Sequence, residues 1–235
     1  MALGHRVFFM MHPYRQAYVE ITNCCNFHCG FCPSPTLVRP RSFMDPALFQ
    51  ELVPQLHELC EHVYLHVLGE PLLHPQLARF LEIATEFSMP VSITTNGSLL
   101  PRYHELLMQL PVLRQINFSL HALREPGQPC DPEWVLESVI AFCLQAARER
   151  PNLHVNMRFW NLDSRESEVD PWTLMVRNRL VQAFGVEWIP PIPGRKHRRL
   201  AGHVSVHQDT RFVWPGESLQ KKIHEPRERG FCQAL

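Results

Sequence analysis

The residues best equipped for chemistry crowd into one short stretch. Thr22-Asn23-Cys24-Cys25-Asn26-Phe27-His28-Cys29-Gly30-Phe31-Cys32-Pro33 carries four of the eight cysteines. Cys25, Cys29 and Cys32 are separated by three and then two residues, close enough for one loop to offer three thiolates to a single centre. Three local ligands suit a cubane [4Fe–4S] cluster with one iron lacking a cysteine. Such an iron can bind a substrate or cofactor, whereas a fully ligated cluster mainly transfers electrons. Structural zinc is the main alternative, but it wants four protein ligands, often as two close pairs. Cys60, Cys130, Cys143 and Cys232 are scattered and supply no second pair, and His28 or Cys24 could complete a set only by crowding the same loop. A group of unligated buried thiols is the third reading. A disulfide framework fits poorly, because secreted scaffolds are usually shorter and spread their cysteines through a loop-rich chain.

The loop needs elements to hold it, and the surrounding pattern supplies them. Apolar runs predict strands at 17–22, 62–68, 91–95, 116–120 and 155–159, with a weaker sixth at 186–189. Helical patterns fall between them at 46–60, 75–88, 102–109, 132–149 and 172–184. Asp45-Pro46, Asp131-Pro132 and Asp170-Pro171 each join an N-cap to a proline at the first helical position. Val135, Val139, Ile140, Cys143 and Ala147 form the buried stripe of the fourth helix. Strands alternating with helices imply a parallel sheet with right-handed crossovers. Five or six units suit a partial or full barrel, or an open doubly wound sheet. The cysteine loop follows the first strand, where parallel α/β folds place ligand chemistry. Beyond about residue 190 the pattern fades into Pro190-Pro191-Ile192-Pro193-Gly194 and the basic run Arg195-Lys196-His197-Arg198-Arg199; a hairpin of 204–206 with 211–214 is expected there.

Composition excludes some classes of function. Lys plus Arg equals Asp plus Glu, so no global field draws the chain to nucleic acid or membrane, and one basic run reads as a solvated loop. Val7-Phe8-Phe9-Met10-Met11 is too short to span a bilayer and lacks signal-peptide flanks. A cytoplasmic protein is expected.

Cysteine spacing of three then two, the aromatic Phe31 before the last cysteine, and the position after the first strand together resemble the radical S-adenosylmethionine (SAM) superfamily. Leu68-Gly69-Glu70-Pro71, ending the second strand, looks like that family's Gly-Gly-Glu-Pro motif with Leu68 in place of its first glycine. Thr94-Thr95-Asn96-Gly97 and Ser119-Leu120-His121 end the third and fourth strands. The resemblance covers residues 16–190 and implies an α/β partial (β/α)6 barrel, preceded by an N-terminal segment (1–15) and followed by a short irregular C-terminal extension (191–235).

It implies cofactors and contacts as well. Cys25, Cys29 and Cys32 would hold three irons, with SAM chelated at the fourth. Phe31 would lie beside the adenine, and Gly69 and Glu70 would receive the methionyl ammonium. Asn96 and Ser119 would face the ribose or carboxylate, and Arg158 would be a carboxylate partner because its fork suits bidentate pairing. The implied reaction is reductive cleavage of SAM to a 5′-deoxyadenosyl radical that abstracts hydrogen, fed by a reductant such as flavodoxin or ferredoxin. Gly230-Phe231-Cys232 looks like the entrance to a SPASM-type module, expected to be truncated here, and SPASM relatives point to a peptide or protein substrate. A non-catalytic iron–sulfur fragment that retains the cluster is the alternative. Each motif also has a plainer reading: Gly69-Glu70-Pro71 and Asn96-Gly97 are ordinary turn sequences.

Overall fold

A computed structural model of the chain describes residues 12–34, 38–160, 170–188 and 197–209. Its strands are β1 (Tyr14–Tyr18), β2 (Cys60–Tyr64), β3 (Val91–Thr95), β4 (Leu113–Ser119), β5 (His154–Trp160), β6 (His197–Ala201) and β7 (Val204–Asp209). The helices are α1 (Pro46–Leu59), α2 (Leu77–Glu86), α3 (Leu100–Gln109), α4 (Pro132–Glu149) and α5 (Pro171–Phe184). The strands form one sheet in the order β1-β2-β3-β4-β5-β7-β6. All neighbours run parallel except β6 and β7. β1 and β6 are its two edges, so the barrel is partial.

Local chemistry explains the helix starts. Asp45 and Asp131 each accept the backbone N–H two residues on, at 2.9 Å, and Asp170 accepts from Thr173 at 3.1 Å. Each such cap contributes about 1 kcal/mol. On α4, Val135, Val139, Ile140 and Cys143 are buried as the spacing predicts, with Ala146 rather than Ala147 as the last fully covered residue.

The strands alternate between two environments. Ile116, Phe118, Val155, Met157, Val204 and Val206 face the helices and are 0% exposed. The opposite face is polar. Gln115 donates to Tyr64 Oη (3.2 Å) and to Asn117 Oδ1 (2.9 Å), Asn117 donates to Thr94 Oγ1 (3.0 Å), and Asn156 donates to Asn117 Oδ1 (3.0 Å). Ser205 closes the chain by donating to Asn156. A hydrogen-bonded layer thus lines the barrel interior from β2 to β7.

Three expectations need correction. The first two strands begin earlier than predicted, because Val19, Ile21 and Leu65 are buried beyond the ends of their strands; burial there reflects the core rather than the ladder. Val186, Glu187 and Trp188 form no strand. Trp188 instead lies under Arg177 (5.6 Å) and Arg198 (5.7 Å), and β7 takes the sixth parallel place beside β5. The hairpin partner of β7 is β6, turning at Gly202-His203. Residues 197–209, expected in the irregular extension, are therefore part of the sheet because Val204 and Val206 complete its apolar face. Residues 211–214 and Cys232 lie outside the described residues.

Candidate functional site

The cysteine loop leaves the end of β1 and is braced from several sides. Arg41 donates to Asn23 O (2.6 Å) and Ser34 Oγ (2.8 Å) and also reaches Ser34 O, bridging the two ends of the loop. Asn23 donates to Pro40 O and accepts from Ser42 N, at 2.8 and 2.7 Å. From the segment after β4, Glu125 accepts from Gly30 N (2.9 Å) and Gln128 Nε2 lies 3.9 Å from Cys29 Sγ. The thiols of Cys25 and Cys32 accept backbone N–H groups of Phe27 and Ser34, each at 3.4 Å. Cys24 turns to Ser42 O (3.7 Å).

Burial is the main influence on the three thiols. It pushes Cys25 up to about 11, helped by Glu70 and Cys32 and opposed by the Phe27 N–H and Arg41. It pushes Cys29 up to about 12, with Cys25, Cys32 and Glu125 adding to the rise. Cys32 is also raised by burial, against the pull of the Ser34 N–H and Arg41. Cys25 and Cys32 raise Cys29, and Cys32 raises Cys25, so the three sulfurs are electrostatic neighbours, and a cationic metal centre would offset that cost. Soft thiolates supported by N–H donors suit iron–sulfur binding better than a hard cation. Among the described residues no three His, Cys, Asp or Glu side chains yet stand at metal-binding separations, so a cluster bound here would draw the thiols closer.

The turn after β2 docks directly onto this loop. Gly69 has φ +78°, and a Cβ there would lie 2.5 Å from Thr22 O and 2.8 Å from Cys24 O. Only glycine fits that approach. Glu70 N donates to Cys24 O at 2.8 Å. The Glu70 carboxylate is 1% exposed and accepts from Leu72 N (3.0 Å) and Asn96 N (2.7 Å). Burial lifts its pKa to about 7 despite these N–H groups and Thr95. Leu68 takes part through its backbone, donating to Glu20 Oε2 at 3.0 Å. Asn96, past the end of β3, donates to Asn26 Oδ1 (3.0 Å) and accepts from Ser98 N (2.9 Å), while Asn26 donates to Ser98 Oγ (2.9 Å). Cysteine loop, Gly69-Glu70 turn and β3 end therefore form one hydrogen-bonded rim.

The remaining expected residues sit toward β4 and β5. Phe31 lies 5.3 Å from the ring of His121, which follows β4, and His121 Nδ1 is 3.3 Å from Arg158 O. Ser119, the last residue of β4, is the register partner of Arg158 on β5. The Arg158 side chain is placed among Tyr18, Tyr64 and Asp209, in the polar interior.

Several residues here escaped the sequence reading. Arg41, Glu125 and Gln128 carry no local signal, since their contacts with the loop exist only in the fold. The interior layer did leave one: Gln115, Asn117 and Ser119, then Asn156 and Arg158, put polar side chains at every second position.

A family model described as the Radical SAM superfamily matches residues 19–158. The chain is 38% identical over 88 residues to an S-adenosyl-L-methionine-dependent 2-deoxy-scyllo-inosamine dehydrogenase of Niallia circulans, covering 35% of each. It is 27% identical over 148 residues to a GTP 3′,8-cyclase of Campylobacter lari, covering 60% of this chain and 44% of that one. The chain thus spans well under two thirds of either relative. Among solved structures, Streptococcus suis SuiB bound to S-adenosylmethionine superposes with TM-score 0.54 at 16% identity, over 73% of this chain and 39% of SuiB. SuiB bound to its precursor peptide SuiA gives TM-score 0.54 at 15% identity, over 73% and 38%.

Proposed function

This chain belongs to the Radical SAM superfamily, whose members use a [4Fe–4S] cluster and S-adenosylmethionine, and from that premise we propose that it is a radical enzyme acting on a peptide or protein. Cys25, Cys29 and Cys32 hold the cluster. Bound there, cluster and cofactor supply reductive cleavage of the sulfonium bond and removal of a hydrogen atom from the substrate. Gly69 and Glu70 receive the cofactor's ammonium: a backbone carbonyl and a carboxylate are acceptors suited to a cation. Phe31 flanks the adenine, and Asn96 and Ser119 face the ribose or carboxylate.

One observation carries this reading. The Gly69-Glu70 turn is pressed against the cysteine loop at a distance only glycine permits, and Glu70 links that loop to Asn96. A simple electron carrier has no need of a second element built against its cluster loop. The protein's share is alignment and exclusion of water, which the interior of the partial barrel serves.

A peptide substrate is supported by the likeness in fold to SuiB, whose structure has been solved bound to the precursor peptide SuiA. Flavodoxin or ferredoxin is the reductant, and the setting is cytoplasmic; among the described residues no helix is long and apolar enough to cross a membrane. Anaerobic reconstitution, reduction with dithionite and addition of SAM test the reading. Formation of 5′-deoxyadenosine is expected. A reconstituted cluster that yields none would favour a non-catalytic iron–sulfur protein.

A further inference from the structure

Inside the partial barrel, four covered side-chain atoms have no hydrogen-bond partner: His62 Nδ1 and Ser92 Oγ toward the starts of β2 and β3, and, toward the other end, His66 Nδ1 just past β2 and Arg158 Nε on β5. The last two share one neighbourhood. The charge of Arg158 is felt at His66, and Arg158 in turn senses Tyr64, Tyr18 and Asp209. The rings of Tyr18 and Tyr64 stack at 4.8 Å, and His66 stands edge-on to both, at 5.8 and 5.4 Å. Gln16 donates to Tyr18 Oη (3.1 Å) and Gln115 donates to Tyr64 Oη (3.2 Å). With an acceptor lone pair of each phenol so occupied, each retains an O–H to donate.

This is a concentration of unspent donors around one buried cation. Burial pulls the Arg158 pKa down even though Tyr64, Tyr18 and Asp209 pull it up, so the guanidinium is incompletely compensated. Asp209 is itself shared with His207 at 3.7 Å. Leaving such groups unpaired is unfavourable, and an incoming acceptor would relieve it.

We propose that Arg158, His66 and the hydroxyls of Tyr18 and Tyr64 form a subsite for a carboxylate carried by the substrate. The inference rests on the functional reading above and changes which carboxylate Arg158 meets. Arg41 is the cation that braces the cysteine loop, whereas Arg158 acts on Tyr18, His66 and His121 in the interior. A monoanion is favoured over a phosphate dianion because Arg158 is the one cation among these four side chains: burial first, then Arg158, lowers the His66 pKa to about 3, and Asp209 already draws on the field. The planar fork matches two carboxylate oxygens.

The test is calorimetric titration of the reconstituted, SAM-loaded chain with N-acetylglutamate α-amide, its glutamine counterpart and inorganic phosphate. The acid should bind at least tenfold more tightly than the isosteric amide and than phosphate. Arg158→Gln should remove that preference while changing SAM affinity less than threefold and leaving cluster absorbance intact. His66→Gln, a milder change, should weaken the acid several-fold and serves where Arg158→Gln fails to fold. Equal binding of acid and amide, tighter binding of phosphate, or a tenfold loss of SAM affinity in Arg158→Gln would each overturn the proposal. If the unaltered chain takes up neither cluster nor SAM, the functional reading fails instead; acid-over-amide preference is scored separately on that same protein.

Discussion

The rim at the cysteine loop and the interior beneath it are both polar, yet they are finished to different degrees. At the rim nearly every group has an internal partner: Glu70 takes two backbone N–H groups, Asn96 ties into Asn26 and Ser98, and Arg41 bridges the loop. In the interior the chain from Tyr64 to Ser205 is complete, but Arg158 Nε, His66 Nδ1, His62 Nδ1 and Ser92 Oγ are left over. The lesson is that a surface completed by the protein suits a constant group that must always meet the same geometry. One left partly unsatisfied suits a group that brings its own acceptors.

That contrast can be broken most forcefully at the thiols. Changing any one of Cys25, Cys29 or Cys32 to Ala should abolish the visible absorbance of the reconstituted cluster. Cys143→Ala, in the core of α4, should keep it while costing about 1 kcal/mol of stability. Next comes Gly69→Ala. Its Cβ would collide with two backbone oxygens, so a loss on the order of 3 kcal/mol in urea denaturation, with impaired cluster uptake, is expected. Gly127→Ala provides the comparison: its φ is also positive but it faces open space, and it should cost about 1 kcal/mol with normal uptake.

Glu70→Ala would strand the N–H groups of Leu72 and Asn96, at about 1–3 kcal/mol for each buried donor. The variant should still bind its cluster but hold SAM more weakly. Unchanged affinity would remove Glu70 from the cofactor contacts and leave it as a brace. The smallest effect concerns His62, in the lower interior. Burial, then Arg114, depress its pKa to about 4 in the folded chain, below the ordinary 6.5. The unfolded chain therefore binds the extra proton, and stability should fall as pH drops from 6.5 toward 4. His62→Asn should flatten that slope in thermal denaturation series, and an unaltered slope would assign it elsewhere.

Much of the rim was legible in the sequence, because its pieces are short motifs with local meaning. Cysteine spacing, Gly69-Glu70-Pro71 and Asn96-Gly97 each mark a strand end, and the Asp-Pro starts fix three helices. What eluded the reading depends on distance along the chain. Glu125 meets Gly30 across 95 residues and Gln128 approaches Cys29 across 99, with nothing nearby to announce either. The sixth parallel strand was misplaced for a related reason. Val186 and Trp188 look apolar enough, but the segment at 204–209 alternates correctly to pair with β5, and Trp188 is taken by two arginines. Tertiary pairing decided between two candidates of similar local quality.

The hairpin that ends the sheet has one more effect. Among the described residues β6 is the outermost strand on its side of the sheet, and an outermost strand is where another copy of the chain could add. His197, Arg198 and Arg199 stand along it. A second molecule approaching edge to edge would bring Arg198 and Arg199 against their own image, and like charges so placed disfavour that pairing.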